Sequence, residues 1–223
     1  MNGWLIVIVC MILSWIVGLV LNSKFSKYSK VPTPNGMTGA QVAEKMLRDN
    51  GITDVQVCCI KGNLTDHFDP TRKVINLSEG VYGQRSIAAA AVAAHETGHA
   101  VQHAMGYAPL RLRSALVPVV SFANNVVQWV LLLGVILLSI SRVFLWVAIA
   151  LFALTTLFSF VTLPVEVNAS ARAVQWLEVA GITDYETRPM AIDALKWAAY
   201  TYVIAALSSL GTLLYYIGIA RRS

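Results

Sequence analysis

The sequence predicts a mainly α-helical membrane protein with four transmembrane helices and one small α+β unit. Its composition points this way, because 57% of the residues are hydrophobic and only 13% are charged. Charged residues make up about a quarter of an average soluble domain. The distribution points the same way, since the hydrophobic residues form long runs, and roughly 20 apolar residues suffice for a helix to cross a bilayer.

The net charge of +5 does not indicate a nucleic-acid partner. The basic residues are dispersed and lie mainly beside the apolar runs, where such residues set the orientation of a membrane protein. We therefore expect a lipid bilayer, and no nucleic acid, around this chain. The oligomeric state is left open by the sequence.

The first predicted span runs from Trp4 to Leu21 and contains no ionisable residue. The residues that follow it, Asn22 to Lys27, offer no small-x-small cleavage site, which favours an uncleaved anchor over a signal peptide. Residues 1–22 are therefore predicted to form a transmembrane anchor helix.

A second apolar run, from Leu116 to Val165, contains one charged residue, Arg142. At about 1.5 Å per residue this run is too long for one crossing. We predict a transmembrane hairpin over residues 114–165, with helices at roughly 116–140 and 143–165 and a turn near Ser139 to Arg142. A fourth span is predicted at about 198–220, within a final segment, 198–223, that ends in a basic tail.

Residues 23–113 have mixed polarity and are predicted to fold as the α+β unit. Thr38 and Gln41 form a T-x-x-Q capping box at the start of a helix, and Gly51 suits its C-terminus. A proline-free, alanine-rich run from about 86 to 105 predicts another helix, which stops at Gly106.

Two short strands are predicted between these helices. Val55, Val57 and Cys59 alternate with their neighbours as in a strand with one buried face. The second strand, Lys73 to Leu77, could offer a free edge to an extended peptide.

The segment 166–197 is predicted to continue the third span as a helix and to break at Gly181. The tetrapeptide Gly-Ile-Thr-Asp occurs at 51–54 and again at 181–184. The flanking residues do not match, so the repeated tetrapeptide does not indicate an internal duplication.

The sequence His95-Glu96-Thr97-Gly98-His99 is an H-E-x-x-H motif on the predicted helix 86–105. Side chains four residues apart share one helix face, so both imidazoles can reach one zinc ion, and Glu96 can act as the general base for an attacking water. Chance would produce such a motif in roughly two sequences of this composition per thousand. The motif therefore favours a catalytic zinc site, with one Zn²⁺ per chain, over a structural pair of histidines.

His103 follows His95 at i+8 and stands about 12 Å further along the helix. That distance is too long for both imidazoles to bind one zinc ion at about 2 Å. We interpret His103 as a structural residue or as one that supports the ligands.

Glu166 is the candidate for a third ligand. It directly follows the apolar run that ends at Val165, where a carboxylate is costly unless it is paired, exposed or bound to a metal. Residue chemistry alone leaves a zinc ligand and an interfacial glutamate in water as equal alternatives.

The cluster Asp66-His67-Phe68-Asp69 is predicted to be a polar loop. Loops often carry function, so Asp66 and His67 are candidates for supporting the ligands or contacting the substrate. Surface hydrogen bonding is the favoured interpretation of both residues.

Five segments together resemble the YugP-type membrane zinc metallopeptidases of bacteria. They are Leu64–Pro70, Ser86–Ala104, Gly106–Ser114, Leu163–Glu166 and Asn168–Ser170. The resemblance spans nearly the whole chain and implies a membrane zinc peptidase with a zincin-like catalytic unit, residues 23–113. It also implies that Glu166, in the segment 166–197, is the third zinc ligand.

The chain is also distantly similar to the heat-shock and CAAX-type membrane metallopeptidases, which place a membrane hairpin between H-E-x-x-H and a glutamate ligand. Two positions depart from the related patterns. Asn168 stands where YugP-type proteins are expected to have an aspartate, and Ser170 stands where the heat-shock group has one. Whether Asn168 supports a ligand or contacts the substrate is left open, as is carboxylate support for a zinc-bound histidine.

The sequence thus predicts a zinc-dependent membrane endopeptidase that acts on peptide or membrane-protein substrates. The alternative is a non-catalytic zinc-binding membrane scaffold or chaperone-like quality-control factor. Structural zinc commonly has four protein ligands and is often cysteine-rich. Cys58 and Cys59 lack that spacing and Glu96 is present, so the enzyme is favoured.

The basic residues beside the spans predict the orientation in a bacterial inner membrane. On the side of the α+β unit they are Lys24, Lys27, Lys30, Arg111, Arg113, Arg172 and Lys196, and on the opposite side they are Arg142, Arg221 and Arg222. Positive-inside counting places the first set, and hence the catalytic side, in the cytoplasm.

Overall fold

The computed structural model describes residues 3–136 and 143–222, and these residues form seven helices and three strands. The four long helices are α1 (Gly3–Tyr28), α5 (Ala108–Ile136), α6 (Val143–Val179) and α7 (Arg188–Arg222). Each has the length and apolar composition to cross a membrane. The predicted mainly α fold with four spans is confirmed. The turn predicted near Ser139 to Arg142 lies outside the described residues.

The helices extend beyond the apolar runs that predicted them. Helix α5 begins at Ala108, α6 continues past Val165 to Val179, and α7 begins at Arg188. Helix α6 contains Pro164 and then no glycine or proline until Gly181, whose φ of +66° marks the break that the sequence predicts. The polar residues after the third span are therefore held on a regular helix.

The chain divides into two compact units. The first contains Met1–Ile16, Arg111–Pro164 and Thr201–Ser223. Within this unit α5 and α6 approach each other closely at Gly134. A Cβ placed on Gly134 would lie only 2.8 Å from the Leu145 backbone nitrogen. The hydroxyl groups of Thr156 and Ser209 lie 2.7 Å apart and link α6 to α7. Trp129 is 68% exposed on α5, as expected for a surface that faces lipid.

The second unit contains Val17–Leu110 and Val165–Tyr200. Its elements include α2 (Gly39–Asp49), β1 (Gln56–Ile60), β2 (His67–Asp69), β3 (Val74–Ser78), α3 (Glu79–Tyr82) and α4 (Ile87–Ala104). Its core combines the apolar face of α2 and strand β3 with the alanine-rich face of α4 and the last turns of α6. Burial of these apolar faces is the main force that holds the unit together.

The sheet corrects two predictions. Its strand order is β1-β3-β2, with β3 parallel to β1 and antiparallel to β2. The free edge predicted for Lys73 to Leu77 is therefore wrong, because β3 is paired on both sides. The predicted polar loop is also wrong in part, since His67–Asp69 forms β2. Asp66 brings this segment to β3, because its carboxylate accepts hydrogen bonds from the backbone N–H of Ser78 at 2.7 Å and from the Ser78 hydroxyl at 3.0 Å.

The predicted alternation in β1 holds only in part. Val55 and Val57 are half-buried against the core, as expected. Cys59 is exposed and Cys58 is half-buried, which is the reverse of the predicted pattern.

The ends of α2 follow the sequence closely. Thr38 and Gln41 form the predicted capping box, and Gly51 has a φ of +70°. The N–H groups of Gly51 and Ile52 bond the carbonyls of Arg48 and Leu47, which is the Schellman pattern. Gly181 and Ile182 make the same pair of bonds at the end of α6. The repeated tetrapeptide is thus one helix-terminating motif used twice.

Helices α4 and α6 pack closely at Gly98. A Cβ on Gly98 would lie 2.8 Å from the Ala169 carbonyl oxygen and 3.2 Å from the Ala169 Cα. Real Cβ atoms do not approach backbone atoms this closely, so a larger residue would push the two helices apart. Glycine at this position sets the spacing of α4 and α6.

We predict that Gly98→Ala destabilises the protein by roughly 1–3 kcal/mol, the usual cost of overpacking a core. Gly80→Ala is the matched control, because nothing lies within 4 Å of a Cβ at that position. Thermal unfolding in detergent measures both variants. Equal unfolding temperatures for the two variants would contradict the close packing described for Gly98.

Candidate metal centre

Helix α4 carries the H-E-x-x-H motif and has sharply defined ends. Ser86 caps it, with its hydroxyl accepting a hydrogen bond from the Ala89 N–H at 3.3 Å. At the other end Gly106 has a φ of +63°, which suits the left-handed residue that commonly follows a helix. The helix predicted at about 86–105 is confirmed as Ile87–Ala104. His95 and His99 therefore lie one turn apart on a rigid element.

Glu166 of α6 meets both histidines of α4. Its Oε2 atom lies 3.2 Å from the Nε2 of His95 and 3.6 Å from the Nε2 of His99. The two imidazole rings are nearly perpendicular, with centroids 4.8 Å apart. One donor atom from each of the three residues lies within 4.8 Å of the other two. The site is thus built from two helices that are distant in the sequence.

The donor set fits zinc. Two imidazoles and one carboxylate form a common ligand set of catalytic zinc sites, which leave a fourth position for water. His99 is 7% exposed and Glu166 is 2% exposed. A carboxylate so well buried is stable only with partners, and a cation held between these three groups would provide one.

The electrostatics of the site favour a positive charge at His99. Burial lowers the pKa of His99, but the nearby carboxylates of Glu166 and Glu96 outweigh burial and raise the pKa overall. The same negative charges attract a metal cation, which competes with the proton for the imidazole.

Glu96 is placed differently from the three donors. Its side chain is 9% exposed and makes no hydrogen bond or ion pair with any residue in the described parts of the chain. Glu96 lies three residues before His99 on α4, and its negative charge raises the pKa of His99. A buried carboxylate without a protein partner is suited to accept a proton from a water molecule.

Each histidine has a neutral partner on its second ring nitrogen. The Nδ1 of His95 lies 3.1 Å from the Ser170 hydroxyl, and the Nδ1 of His99 lies 3.0 Å from Gln102 Oε1. Asn168 reaches the site indirectly, because its Oδ1 accepts a hydrogen bond from Gln102 Nε2 at 3.0 Å. Of the two departures from the related patterns, Ser170 therefore contacts His95 directly and Asn168 contacts His99 only through Gln102.

The other candidate residues lie outside this group. His67 is exposed; its Nδ1–H donates to the Thr65 carbonyl at 2.8 Å, and its Nε2 lies 3.1 Å from Asn76 Nδ2. Asp66 binds Ser78, as described for the sheet. His103 is exposed, and its ring centroid is 5.8 Å from that of Phe68. All three have structural contacts in the sheet region, and the structure does not bring them into the donor group.

Sequence analysis missed Gln102. It is fully buried and lies three residues after His99, on the same face of α4. The i,i+3 spacing from a candidate ligand was the signal that could have identified it. Here Gln102 contacts both the imidazole of His99 and the Val165 carbonyl of α6.

The fold and this site define a multi-pass membrane protein with the donor set of a zinc peptidase. The chain belongs to the family described as "Putative neutral zinc metallopeptidase", which it matches over residues 3–221. The protein described as "Putative membrane protease YugP", from Bacillus subtilis (strain 168), is 46% identical over 197 residues, which cover 88% of this chain and 87% of that relative. No solved structure matches the chain. The family resemblance predicted from the sequence is confirmed.

We predict that Glu166→Gln weakens zinc binding more than about 100-fold, beyond the loss caused by removing a group that merely supports a ligand. Glu178→Gln is the matched control, because Glu178 also lies on α6 but pairs with Arg188 at 2.9 Å. Competition with a fluorescent zinc chelator measures both affinities. Unchanged zinc affinity in Glu166→Gln would remove this residue from the ligand set.

Proposed function

We propose that this chain is a zinc-dependent endopeptidase of the bacterial cell membrane, with one zinc ion per chain. The observation that carries the proposal is the convergence of His95, His99 and Glu166 beside a buried Glu96 that has no hydrogen-bond or ion-pair partner in the described residues. This arrangement separates the ligands from the base, as peptide hydrolysis requires.

Each residue has a distinct part in the proposed reaction. His95, His99 and Glu166 would hold zinc, which supplies Lewis acidity that polarises a water molecule and the peptide carbonyl. Glu96 accepts a proton from the attacking water as the new carbon–oxygen bond forms. It then delivers that proton to the peptide nitrogen as the carbon–nitrogen bond breaks, which releases an amine and a carboxylic acid.

The proposed substrates are membrane proteins or polypeptides near the membrane. Glu166 directly follows the apolar run that ends at Val165. At about 1.5 Å per residue, the ligand lies within one helical turn of the end of that run. A peptide must therefore reach the site close to the bilayer surface, which favours chains that are already membrane-bound.

The proposed orientation has the catalytic side in the cytoplasm, because the basic residues beside the spans are more numerous on that side. The chain would then begin outside, cross the membrane four times and end outside. His99 and Glu166 lie on the same side only if the segment between them crosses an even number of times, and the α5–α6 pair provides two crossings.

We predict that Glu96→Gln retains bound zinc but loses hydrolysis by roughly 10²- to 10⁴-fold, the usual contribution of a general base. Substrates should accumulate in membranes that contain this variant and not in membranes that contain the wild-type protein. Quantitative proteomics of the two membrane fractions, together with zinc analysis of the purified proteins, tests the prediction.

Glu79→Gln is the control for this experiment, because Glu79 is an exposed glutamate of α3 in the same unit. Substrate levels in its membranes should equal those of the wild type. Cleavage of an accumulated substrate by Glu96→Gln at the wild-type rate would show that Glu96 is not the base.

We also predict that a reporter fused after Ser223 lies outside the cytoplasm. Alkaline phosphatase fused there should be active and green fluorescent protein should be dark. A fusion placed after Tyr185, which is 95% exposed between α6 and α7, should give the opposite result. A fluorescent fusion after Ser223 would reverse the proposed orientation.

A further inference from the structure

A continuous set of hydrogen bonds runs from α6 to His99. Arg172 Nε donates to Asn168 Oδ1 at 2.8 Å, and Gln102 Nε2 donates to the same oxygen at 3.0 Å. Gln102 Nε2 also donates to the Val165 carbonyl at 2.8 Å. Gln102 Oε1 then lies 3.0 Å from the Nδ1 of His99. Gln102 thus stands between the turn of α6 that carries Glu166 and one of the two histidines.

The direction of these hydrogen bonds is fixed at both ends. A backbone carbonyl such as that of Val165 can only accept, and the guanidinium of Arg172 can only donate. The NH₂ group of Gln102 must therefore face α6, and the carbonyl oxygen of Gln102 must face His99. An amide oxygen can only accept, so the Nδ1 of His99 must carry a hydrogen.

This direction determines the tautomer of His99. When the neutral ring carries its hydrogen on Nδ1, its lone pair is on Nε2. Nε2 is the atom that lies 3.6 Å from Glu166 Oε2, on the side of the candidate metal centre. The amide of Gln102 therefore prepares His99 to bind a metal through the correct nitrogen.

We propose that Gln102 is a positioning residue that holds His99 in the Nδ1–H tautomer and ties it to the turn of α6 that carries Glu166. The proposal rests on the metal centre described above and names the residue that sets its geometry. Val165 immediately precedes Glu166, so one amide side chain fixes the orientation of His99 relative to the carboxylate ligand. Gln102 is fully buried, and water cannot readily replace its hydrogen bonds.

The Nδ1 of His95 lacks an equivalent restraint. It lies 3.1 Å from the Ser170 hydroxyl. A hydroxyl can donate or accept, so this contact is compatible with either neutral tautomer. On the Nδ1 side the site therefore fixes His99 more firmly than His95, and loss of Gln102 should affect it more than loss of the Ser170 hydroxyl.

The direct test is the tautomer of His99 in the metal-free, full-length protein, measured by nitrogen-15 NMR with labelled histidine in detergent at a pH where the ring is neutral. The wild type should show a protonated Nδ1 and an unprotonated Nε2 at His99. Gln102→Met, which keeps a side chain of similar length but makes no such hydrogen bond, should show a mixture of tautomers. A wild-type His99 with its hydrogen on Nε2 would overturn the proposal, whether or not the variant folds.

Zinc affinity provides the second measurement. Gln102→Met should bind zinc about 10- to 100-fold more weakly than the wild type, the usual effect of losing a partner of a ligating histidine. Ser170→Ala should lose less zinc affinity than Gln102→Met. Thr97→Val is the matched control, because Thr97 is equally buried on α4 but within the described residues its hydroxyl bonds only the Ala93 carbonyl, at 2.8 Å. The zinc affinity of this variant should be unchanged.

The two measurements separate this proposal from the proposed function. A wild-type protein that binds no zinc would contradict the peptidase, while the metal-free tautomer would still decide the role of Gln102. Equal affinities of Gln102→Met and Thr97→Val for zinc, in a protein that does bind it, would overturn the positioning role alone.

Discussion

The candidate site depends on a buried carboxylate that lies between two imidazoles on a neighbouring helix. Glu166 is 2% exposed and lies 3.2 Å from the Nε2 of His95. Burying a charge there is costly unless partners surround it, so the two helices must be held at one spacing. Gly98 makes this spacing available, because any larger side chain would meet the backbone of Ala169. The geometry of the metal centre is thus a property of how α4 packs against α6.

The packing of α4 against α6 also positions the hydrogen-bond partners of His95 and His99. Val165, Asn168 and Ser170 lie on two successive turns of α6 and contact Gln102 or His95 of α4 through a backbone carbonyl, an amide and a hydroxyl. All of these groups are neutral. A carboxylate partner would make the imidazoles more basic and strengthen their hold on a metal. Neutral partners orient the imidazole rings without adding that charge. Glu96 takes no part in these hydrogen bonds.

The parts of the structure that depend on local patterns could be predicted from the sequence. Thr38 and Gln41 define the start of α2, the proline-free run defines α4, and the apolar runs define the four spans. The H-E-x-x-H motif places two imidazoles on one helix face by spacing alone.

Strand β2 was not predicted, because its pairing with β3 depends on the Asp66 bond to Ser78 across a turn. The approach of Glu166 to His95 spans a long stretch of chain, so residue chemistry left it open and the family resemblance supported it. Gln102 was missed because its significance appears only when α6 supplies an acceptor at Val165.

The central claim, that these three side chains hold zinc, is tested most directly by X-ray absorption spectroscopy at the zinc edge on the purified protein. We predict a shell of nitrogen and oxygen donors at about 2.0–2.2 Å, with the outer scattering of two imidazoles and no sulfur. The imidazole scattering should halve in His95→Ala and in His99→Ala samples that retain any metal. A sulfur contribution at about 2.3 Å in the wild type would instead implicate the cysteines, and it would contradict the assignment of the metal to His95, His99 and Glu166.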